Sequence, residues 1–347
     1  WLIYRAAGTA GELQMRQLHV LDVMTDQDES HLNAKSWISV SAPETMRAAF
    51  TAAPTLQLPD IEFENANATD STSDTDAGLQ LSWSGRPEDV FGVMYRKGGM
   101  GLGQQRFQHS RLTANRVTDM PLLTNGSRSF KARWNATVPQ PLITSTLTVS
   151  GFGLLKGSFS HNLPEPITDW IVVHGNRVYR ADSSASHFAT LKPDSDWISP
   201  SDGIYASDLK TYLIGARLVQ EDDIRASSRG TTQVLTPYDS QSTDAMYILT
   251  MLSLYNYAGG AEYVGLSHTQ LRKMEITDTA RLNHAVLIGR VDLPVASLRI
   301  NDKPIVNRES QTLVRLFIPV DKRPAAAGAM TQEAIEKEQQ VESENQP

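Results

Sequence analysis

From Leu13 to about Asn162, almost every apolar run is short, alternates with polar residues and stops at a turn former. A period of two puts successive side chains on opposite faces of an extended strand, whereas an amphipathic helix needs apolar residues every three or four positions. Gln14 to Val20, Ser36 to Val40, Leu79 to Trp83, Val90 to Tyr95, Ser129 to Trp134, Leu142 to Val149 and Leu154 to Ser160 all read this way. Strands at this spacing predict an antiparallel β-sandwich. Gly151-Phe152-Gly153, between two such runs, fits a hairpin or bulge where glycine takes positive φ.

Beyond Asn162 the pattern mixes. Two β-rich runs, Asp169 to His174 and Arg177 to Arg180, flank Gly175-Asn176, which is the spacing of a tight hairpin. Ser207-Asp208 can cap a helix running through Leu209, Tyr212, Leu213, Ala216 and Leu218. Asp244 to Ala258 reads as a helix stopped by Gly259-Gly260, and its apolar residues lie almost all round, which predicts a buried helix. Ser267-His-Thr-Gln270 has capping-box spacing for a short helix reaching Met274. The runs Ala285 to Val291, Ser297 to Ile300 and Leu313 to Val320 then predict a closing β-meander.

The expected fold is therefore β-rich, of the α+β class. An N-terminal antiparallel β-sandwich is followed by a mixed α+β region ending in a β-meander, with a disordered acidic C-terminal tail. In residue numbers this is a sandwich over 13–165, an α+β domain over 166–323 and a tail over 324–347. Residues 1–12 read as the end of a membrane-spanning helix and its linker, because Trp1, Tyr4 and Arg5 are what a bilayer interface favours. No later stretch approaches the ~20 apolar residues needed to cross a bilayer. Cysteine is absent, which excludes disulfides, thiolate metal sites and cysteine nucleophiles.

Charge is more informative by segment than in total. Of the formal −7, the segment from Pro324 onward carries −4, from five glutamates against Lys337, which leaves −3 on the rest. A nearly neutral body has no bulk attraction for nucleic acid. Asp60 to Asp76 holds six acids and no base, the composition of a loop. Arg86 to Arg133 holds nine bases against Glu88, Asp89 and Asp119. Such a surplus can face an anionic lipid or polymer, but on alternating strands it is more simply the wet face of a sheet.

The chemical motifs mostly fail their own spacing. Gly98, Gly99, Gly101 and Gly103 have the glycine density of a phosphate cradle but match neither the dinucleotide nor the Walker pattern. Asp74-Thr-Asp76-Ala-Gly78 starts like a calcium loop, yet Gly78 and Gly85 stand where ligands belong. No two of the eight histidines have the close spacing of a helix-borne metal motif, and no G-x-S-x-G elbow is present, so neither a metal nor a cofactor is expected. Three segments match the glycosylation acceptor, Asn67, Asn125 and Asn135, in a chain rich in such residues.

Four segments carry a resemblance: GTAGELQMRQLHVLD from Gly8 to Asp22, WSGRPEDVFGVMY from Trp83 to Tyr95, VSGFGLLKGS from Val149 to Ser158, and NHAVLIGR from Asn283 to Arg290. Together they resemble the extracytoplasmic domain of large uncharacterised bacterial membrane proteins, over most of residues 8–320. The resemblance implies a location and no catalytic residues. The resulting expectation is a membrane-tethered, extracytoplasmic binding or scaffolding domain, tethered upstream of Trp1, with envelope or membrane proteins as partners and no nucleic acid. Its candidate binding loops carry Asp70, Asp74, Asp76, Gly98, Gly99, Gly101 and Gly103, since loops at the ends of a sandwich make contacts while the sheets supply rigidity. The alternative is an envelope-acting hydrolase or transferase with a site in the cleft between the two regions, built from His268, Asp278 and His284 and tested by whether Asp202, Asp208 and Glu275 converge on them. A sugar-binding module would need tryptophans exposed in a row, whereas Trp83, Trp134, Trp170 and Trp197 fall in or beside apolar runs as core anchors do.

Overall fold

The computed structural model describes residues 12–26, 28–64, 78–84, 108–109, 114–124, 126–150, 153–182, 189–200, 203–221, 230–265, 274–282 and 284–321. Residues 1–11, the candidate loop residues Asp70, Asp74, Asp76, Gly98, Gly99, Gly101 and Gly103, the expected helix at Ser267 with His268, and the tail 324–347 lie outside the described residues.

Alternation becomes architecture in one large sheet. Its eleven strands are β1 (Gln14–Asp26), β2 (Glu29–Ser41), β4 (Glu62–Phe63), β5 (Gln80–Ser84), β8 (Ser127–Val138), β12 (Ile167–His174), β13 (Arg177–Ala181), β14 (Thr190–Leu191), β16 (Ile204–Asp208), β19 (His284–Val291) and β22 (Val306–Pro319). Their order is β16-β13-β12-β19-β22-β1-β2-β8-β4, with β14 on β12 and β5 on β8. A second sheet orders β21 (Lys303–Pro304), β20 (Ala296–Ile300), β3 (Met46–Pro54), β7 (Arg116–Leu122) and β6 (Gln108–His109). A third holds β10 (Thr148–Val149), β11 (Leu155–His161) and β15 (Trp197–Ser199), with β9 (Ile143–Ser145) on β11. β17 (Ala216–Glu221) and β18 (Gly230–Leu235) form a separate hairpin.

The large sheet is covered on one face throughout and on the other around β12, β19, β22 and β1. Leu21, Ala34, Ile38, Phe130, Trp134, Val172, Leu287, Val314 and Leu316 face one core, shared with the second and third sheets. Phe50 of β3 meets Phe130 of β8 at 4.5 Å between ring centroids, and Trp134 Nε1 donates to the Val295 carbonyl at 2.8 Å. Val20, Ile171, Val173, Val178, Val286, Ile288, Leu313 and Phe317 face the other core, shared with five short helices. These are α1 (Leu209–Ile214), α2 (Ala245–Ser253), α3 (Tyr255–Ala258), α4 (Ala261–Val264) and α5 (Thr277–Leu282). Double burial explains the continuously buried run of β22 from Thr312 to Ile318, apolar except for Thr312 and Arg315, because a strand covered on both sides has no wet face to make polar.

β1 pairs in parallel with β22, so strands from 13–165 and from 166–323 meet in the middle of one sheet. The three closing strands form where the pattern places them, but they do not make a meander. β19 and β22 pair directly, from His284 opposite Pro319 to Val291 opposite Thr312, while β20 leaves to pair with β3. The reason lies in burial: Ala296, Leu298 and Ile300 alternate on the core side of the second sheet, where they close the sandwich.

The hairpin at Gly175-Asn176 forms as its spacing predicts, with His174 opposite Arg177 and Gly175 at φ 53°. Between β10 and β11, Gly153 sits at φ 72° and donates to the Ser150 carbonyl, the tight turn expected there. Two helix expectations need correction. The helix capped by Asp208 stops at Gly215, not Leu218: its φ of 61° and the Thr236 Oγ1 atom 2.8 Å from where a Cβ would stand turn the chain into β17. Asp244 to Ala258 is two helices broken at Leu254 (φ −117°), and only Leu249, Met251 and Ser253 of α2 are buried, so α2 is half-buried and not enclosed.

A cation ties the helical layer to the sheet. Arg315 on β22 is 1% exposed; its Nε and NH2 donate to the two carboxylate oxygens of Asp22 on β1 at 2.5 and 2.7 Å. Its NH1 donates to the Met274 carbonyl at 2.6 Å and to Ser253 Oγ at 3.2 Å, and Lys35 adds a second cation 3.3 Å from Asp22. Every oxygen and most donors of the pair are thus engaged, the condition under which burying two charges is tolerated.

Candidate functional site

With both faces of the large sheet covered around β12, β19, β22 and β1, this half of the sheet is left with its edge and rim for recognition. β16 is the last strand on one side. It pairs with β13 from Arg177 opposite Asp208 to Ala181 opposite Ile204. Just beyond each end of the ladder, Asp182 N donates to the Gly203 carbonyl at 2.8 Å and Leu209 N donates to the Asn176 carbonyl at 2.9 Å. In an antiparallel pair, hydrogen-bonded and non-hydrogen-bonded positions alternate. Tyr205 and Ser207 therefore bond inward to β13, and the N–H and C=O groups of Ile204 and Ala206 point outward, with the Asp208 N–H, along an edge that no other strand of the described residues covers, while the Asp208 carbonyl turns into α1 as its N-cap. The devices that usually blunt an edge, an inserted proline or lysine, are missing from Ile204-Tyr-Ala-Ser-Asp208.

The same alternation sorts the side chains. Ile204 packs toward the core of the three sheets, while Tyr205 shares its face with its register partner Arg180 on the helical side. Tyr212, on the exposed side of α1, completes that cluster. The Arg180 guanidinium carbon lies 5.5 Å from the Tyr205 ring centroid and 5.6 Å from that of Tyr212, so the cation sits over both rings within cation–π range. Tyr205 is 53% and Tyr212 37% exposed. Arg180 has no ion-pair partner among the described residues, which leaves its N–H fork free for an anion. Burial pushes the Tyr212 phenol above its usual pKa and Arg180 pulls it back, so the ring stays neutral at ordinary pH.

The support beneath this cluster is rigid. Tyr179, between Val178 and Arg180, is buried, accepts a hydrogen bond from Leu155 N at 2.8 Å and meets Trp197 edge-on at 5.9 Å. The β12–β13 turn is clamped from the helical side: Gly175 N donates to the Ala280 carbonyl at 3.0 Å, and Tyr257 Oη donates to the Gly175 carbonyl. Asp208 fixes α1, accepting from Thr211 N at 2.8 Å and Thr211 Oγ1 at 2.9 Å, which holds its carboxyl below the usual range with help from Arg177 and Lys210.

Other candidates resolve into structural roles. Glu275 accepts from Asn256 N at 3.3 Å and from the backbone and hydroxyl of Thr277, so its carboxylate braces the start of α5. Asp278 lies in the first turn of α5 and His284 opens β19, where burial pushes the imidazole below its usual pKa. Asp202 and His268 lie outside the described residues. His19 and Ser36 meet at 2.7 Å, the spacing of a nucleophile and its base, but they are 0% and 1% exposed and the other ring nitrogen faces the Gln17 amide at 2.9 Å. Without a carboxylate behind the ring or access in front of it, the pair is a satisfied core cluster. Among the described residues no group of three metal-ligating side chains is found, and no helix is long and apolar enough to cross a membrane.

Of the basic run, Arg86, Arg96, Lys97, Arg106 and Arg111 lie outside the described residues, and its last two members lie on the wet face of β8. Lys131 and Arg133 alternate with buried Phe130, Ala132 and Trp134, with Lys131 5.8 Å from the Trp37 ring centroid and Arg133 donating to Gln80 Oε1 at 3.3 Å. Trp134, Trp170 and Trp197 are core residues, as their apolar surroundings predict.

No family model matches the sequence, and no curated protein does. Among solved structures, the chain is similar to the mu homology domain of Fcho1 from Danio rerio with a bound Eps15 peptide, at 6% identity and a TM-score of 0.29, over 91% of this chain and 100% of that one. It is also similar to the yeast delta-COP-I mu-homology domain, at 8% identity and a TM-score of 0.30, over 90% of this chain and 98% of that one. A further structure of that yeast domain, complexed with a Dsl1 WxWxV peptide, gives 8% identity and 0.29 over 90% and 97%. Scores this low carry no argument about the fold or function of this chain.

Proposed function

We propose that this chain is a protein-binding domain that engages its partner along the β16 edge, on the extracytoplasmic side of a bacterial membrane to which it is tethered. The observation that carries the binding role is an edge strand without an inserted proline or lysine, with the backbone groups of Ile204 and Ala206 turned outward, beside an exposed arginine that lies over two tyrosine rings. Edges of this kind pair with extended segments of other chains, the backbone supplying affinity and alternate side chains supplying specificity. The location is supported by the resemblance of the four segments from Gly8 to Arg290 to extracytoplasmic domains.

Two measurements test the two halves. A photo-cross-linking amino acid at position 206, expressed in cells, is expected to give a discrete adduct, while the same group at exposed Lys303 on the second sheet gives none. Adducts of equal yield at both positions would remove the edge from the account. A tag placed after Pro347 is expected to sediment with membranes and to be cleaved by protease added to spheroplasts. A soluble, protected tag would sink the location and leave the edge untouched.

A further inference from the structure

The geometry points to the chemistry of the occupant: an extended peptide that adds antiparallel to β16 and carries a glutamate or aspartate opposite Tyr205, seated on Arg180. This rests on the edge reading above and goes beyond it by naming the ligand class.

The register fixes the pattern. An added antiparallel strand takes its hydrogen bonds from Ile204 and Ala206, whose N–H and C=O groups face outward, and from the Asp208 N–H, so the ligand residue opposite Tyr205 occupies a non-hydrogen-bonded pair. Side chains in such pairs approach most closely, with Cα atoms about 4.5 Å apart. That ligand residue lies on the helical side, where Tyr205, Arg180 and Tyr212 meet. Its two neighbours turn to the opposite side, beside Ile204 and Ala206, where small or β-branched apolar residues fit. The predicted ligand therefore alternates apolar, acidic, apolar.

Charge complementarity selects the acid. Arg180 is the cation on the Tyr205 side of β13, whereas Arg177 lies opposite Asp208 on the other face and bears on Asp208 together with Lys210. Asp208 is turned to the α1 backbone and hydroxyl of Thr211 and lies on the other side of the strand from Tyr205, so Arg180 keeps its fork. Contact with two rings restricts the long side chain before a ligand arrives, which removes part of the ordering cost of binding. A lysine has the charge but not the planar fork. A second copy of the chain is a poorer fit, because two β16 strands in antiparallel register place Tyr205 of one copy opposite Tyr205 or Ser207 of the other and present no carboxylate on the Arg180 side.

The test uses the full chain and a fluorescent, capped probe peptide, acetyl-Ser-Thr-Val-Glu-Val-Thr-Ser-amide, read by anisotropy. Binding is expected, with at least a tenfold loss, about the size of one charge-assisted hydrogen bond, when the probe glutamate becomes glutamine or when the protein carries Arg180→Gln. Arg180→Lys is expected to recover less than half of that loss. Ala206→Pro removes an outward N–H without touching the β13 ladder and is expected to abolish binding, with circular dichroism confirming its fold. If Ala206→Pro abolishes binding while the glutamate and glutamine probes bind equally, the acid is overturned and the edge stands. If Ala206→Pro binds as tightly as the parent, or no probe binds, both fall. Sedimentation showing dimers that Ala206→Pro dissociates would make a second copy the occupant and overturn the inference. Arg180→Gln, on an exposed side chain, keeps the acid falsifiable should the proline variant not fold.

Discussion

Arg315 and Arg180 are the same side chain put to opposite uses, and the contrast between the middle of the large sheet and its β16 edge explains both. At the centre, β22 is covered on both faces, and the cation there is consumed: two bonds to Asp22, one to Met274 and one to Ser253, at 1% exposure. At the edge, Arg180 is exposed, lies over two rings and is without a counter-charge among the described residues. Burial decides the difference. A charge in the core must be fully partnered to be tolerated, whereas a charge at the rim remains hydrated and available. Chemistry committed to structure therefore gathers in the centre, and uncommitted chemistry at the edge.

The contrast can be broken by mutation. Removing the Arg315 guanidinium as Arg315→Ala leaves Asp22 half-buried beside Lys35 alone and detaches the helical layer, at an expected cost of about 3–5 kcal/mol in urea unfolding. Arg315→Met, which fills the volume, is expected to cost less only if Asp22→Leu accompanies it; full stability of Arg315→Ala would contradict the central role of the pair.

The next largest effect is on pH. Burial lowers His19 from 6.5 to about 4 in the folded chain. The unfolded state therefore binds the proton first: the contribution is fully present above pH 6.5 and is lost as pH falls through about 4. The whole effect is on the order of 3 kcal/mol, with His161 and His284 adding in the same direction because burial lowers them too. Stability measured from pH 7 to pH 4 should fall, and His19→Gln should flatten the slope; an unchanged slope would assign it to other groups.

At the rim the effects shrink. Asp208→Ala removes the α1 cap and is expected to cost about 1 kcal/mol. Arg180→Gln is expected to change stability by less than about 0.5 kcal/mol, since an exposed side chain away from a packed feature contributes little. A larger loss would mean that the cluster holds the fold together, against its assignment as a binding group.

Much of this was legible from the chain. Period-two runs gave β1, β2, β5, β8 and β11, and Gly175-Asn176 gave the β12–β13 hairpin, because strand alternation and turn chemistry are local. What was not legible is long-range. Nothing in Gln14 to Val20 says that it will lie parallel to Val306 onward, and nothing in Ser297 to Ile300 says that it will abandon its neighbours for β3. Gly215 and Leu254 broke the expected helices through contacts and dihedrals that spacing does not reveal. The candidate site was legible only in halves. The strand carrying Arg180 and the cap at Asp208 could each be read, but Tyr205, Arg180 and Tyr212 come together through the β13–β16 register and the turn into α1. The signal that could have exposed them was an arginine following buried Val178 and Tyr179 on an outward position of a capped hairpin, with tyrosines in the next strand and helix.

The most direct test of the edge is residue-resolved amide exchange. In the free protein Tyr205 and Ser207, bonded to β13, should exchange slowly, while Ile204, Ala206 and Asp208 exchange fast; adding the acidic probe peptide should slow Ala206 most. Uniformly slow exchange along the strand before any peptide is added, or peptide-induced protection confined to other strands, would show that β16 is not an open edge and would remove the surface on which the functional account stands.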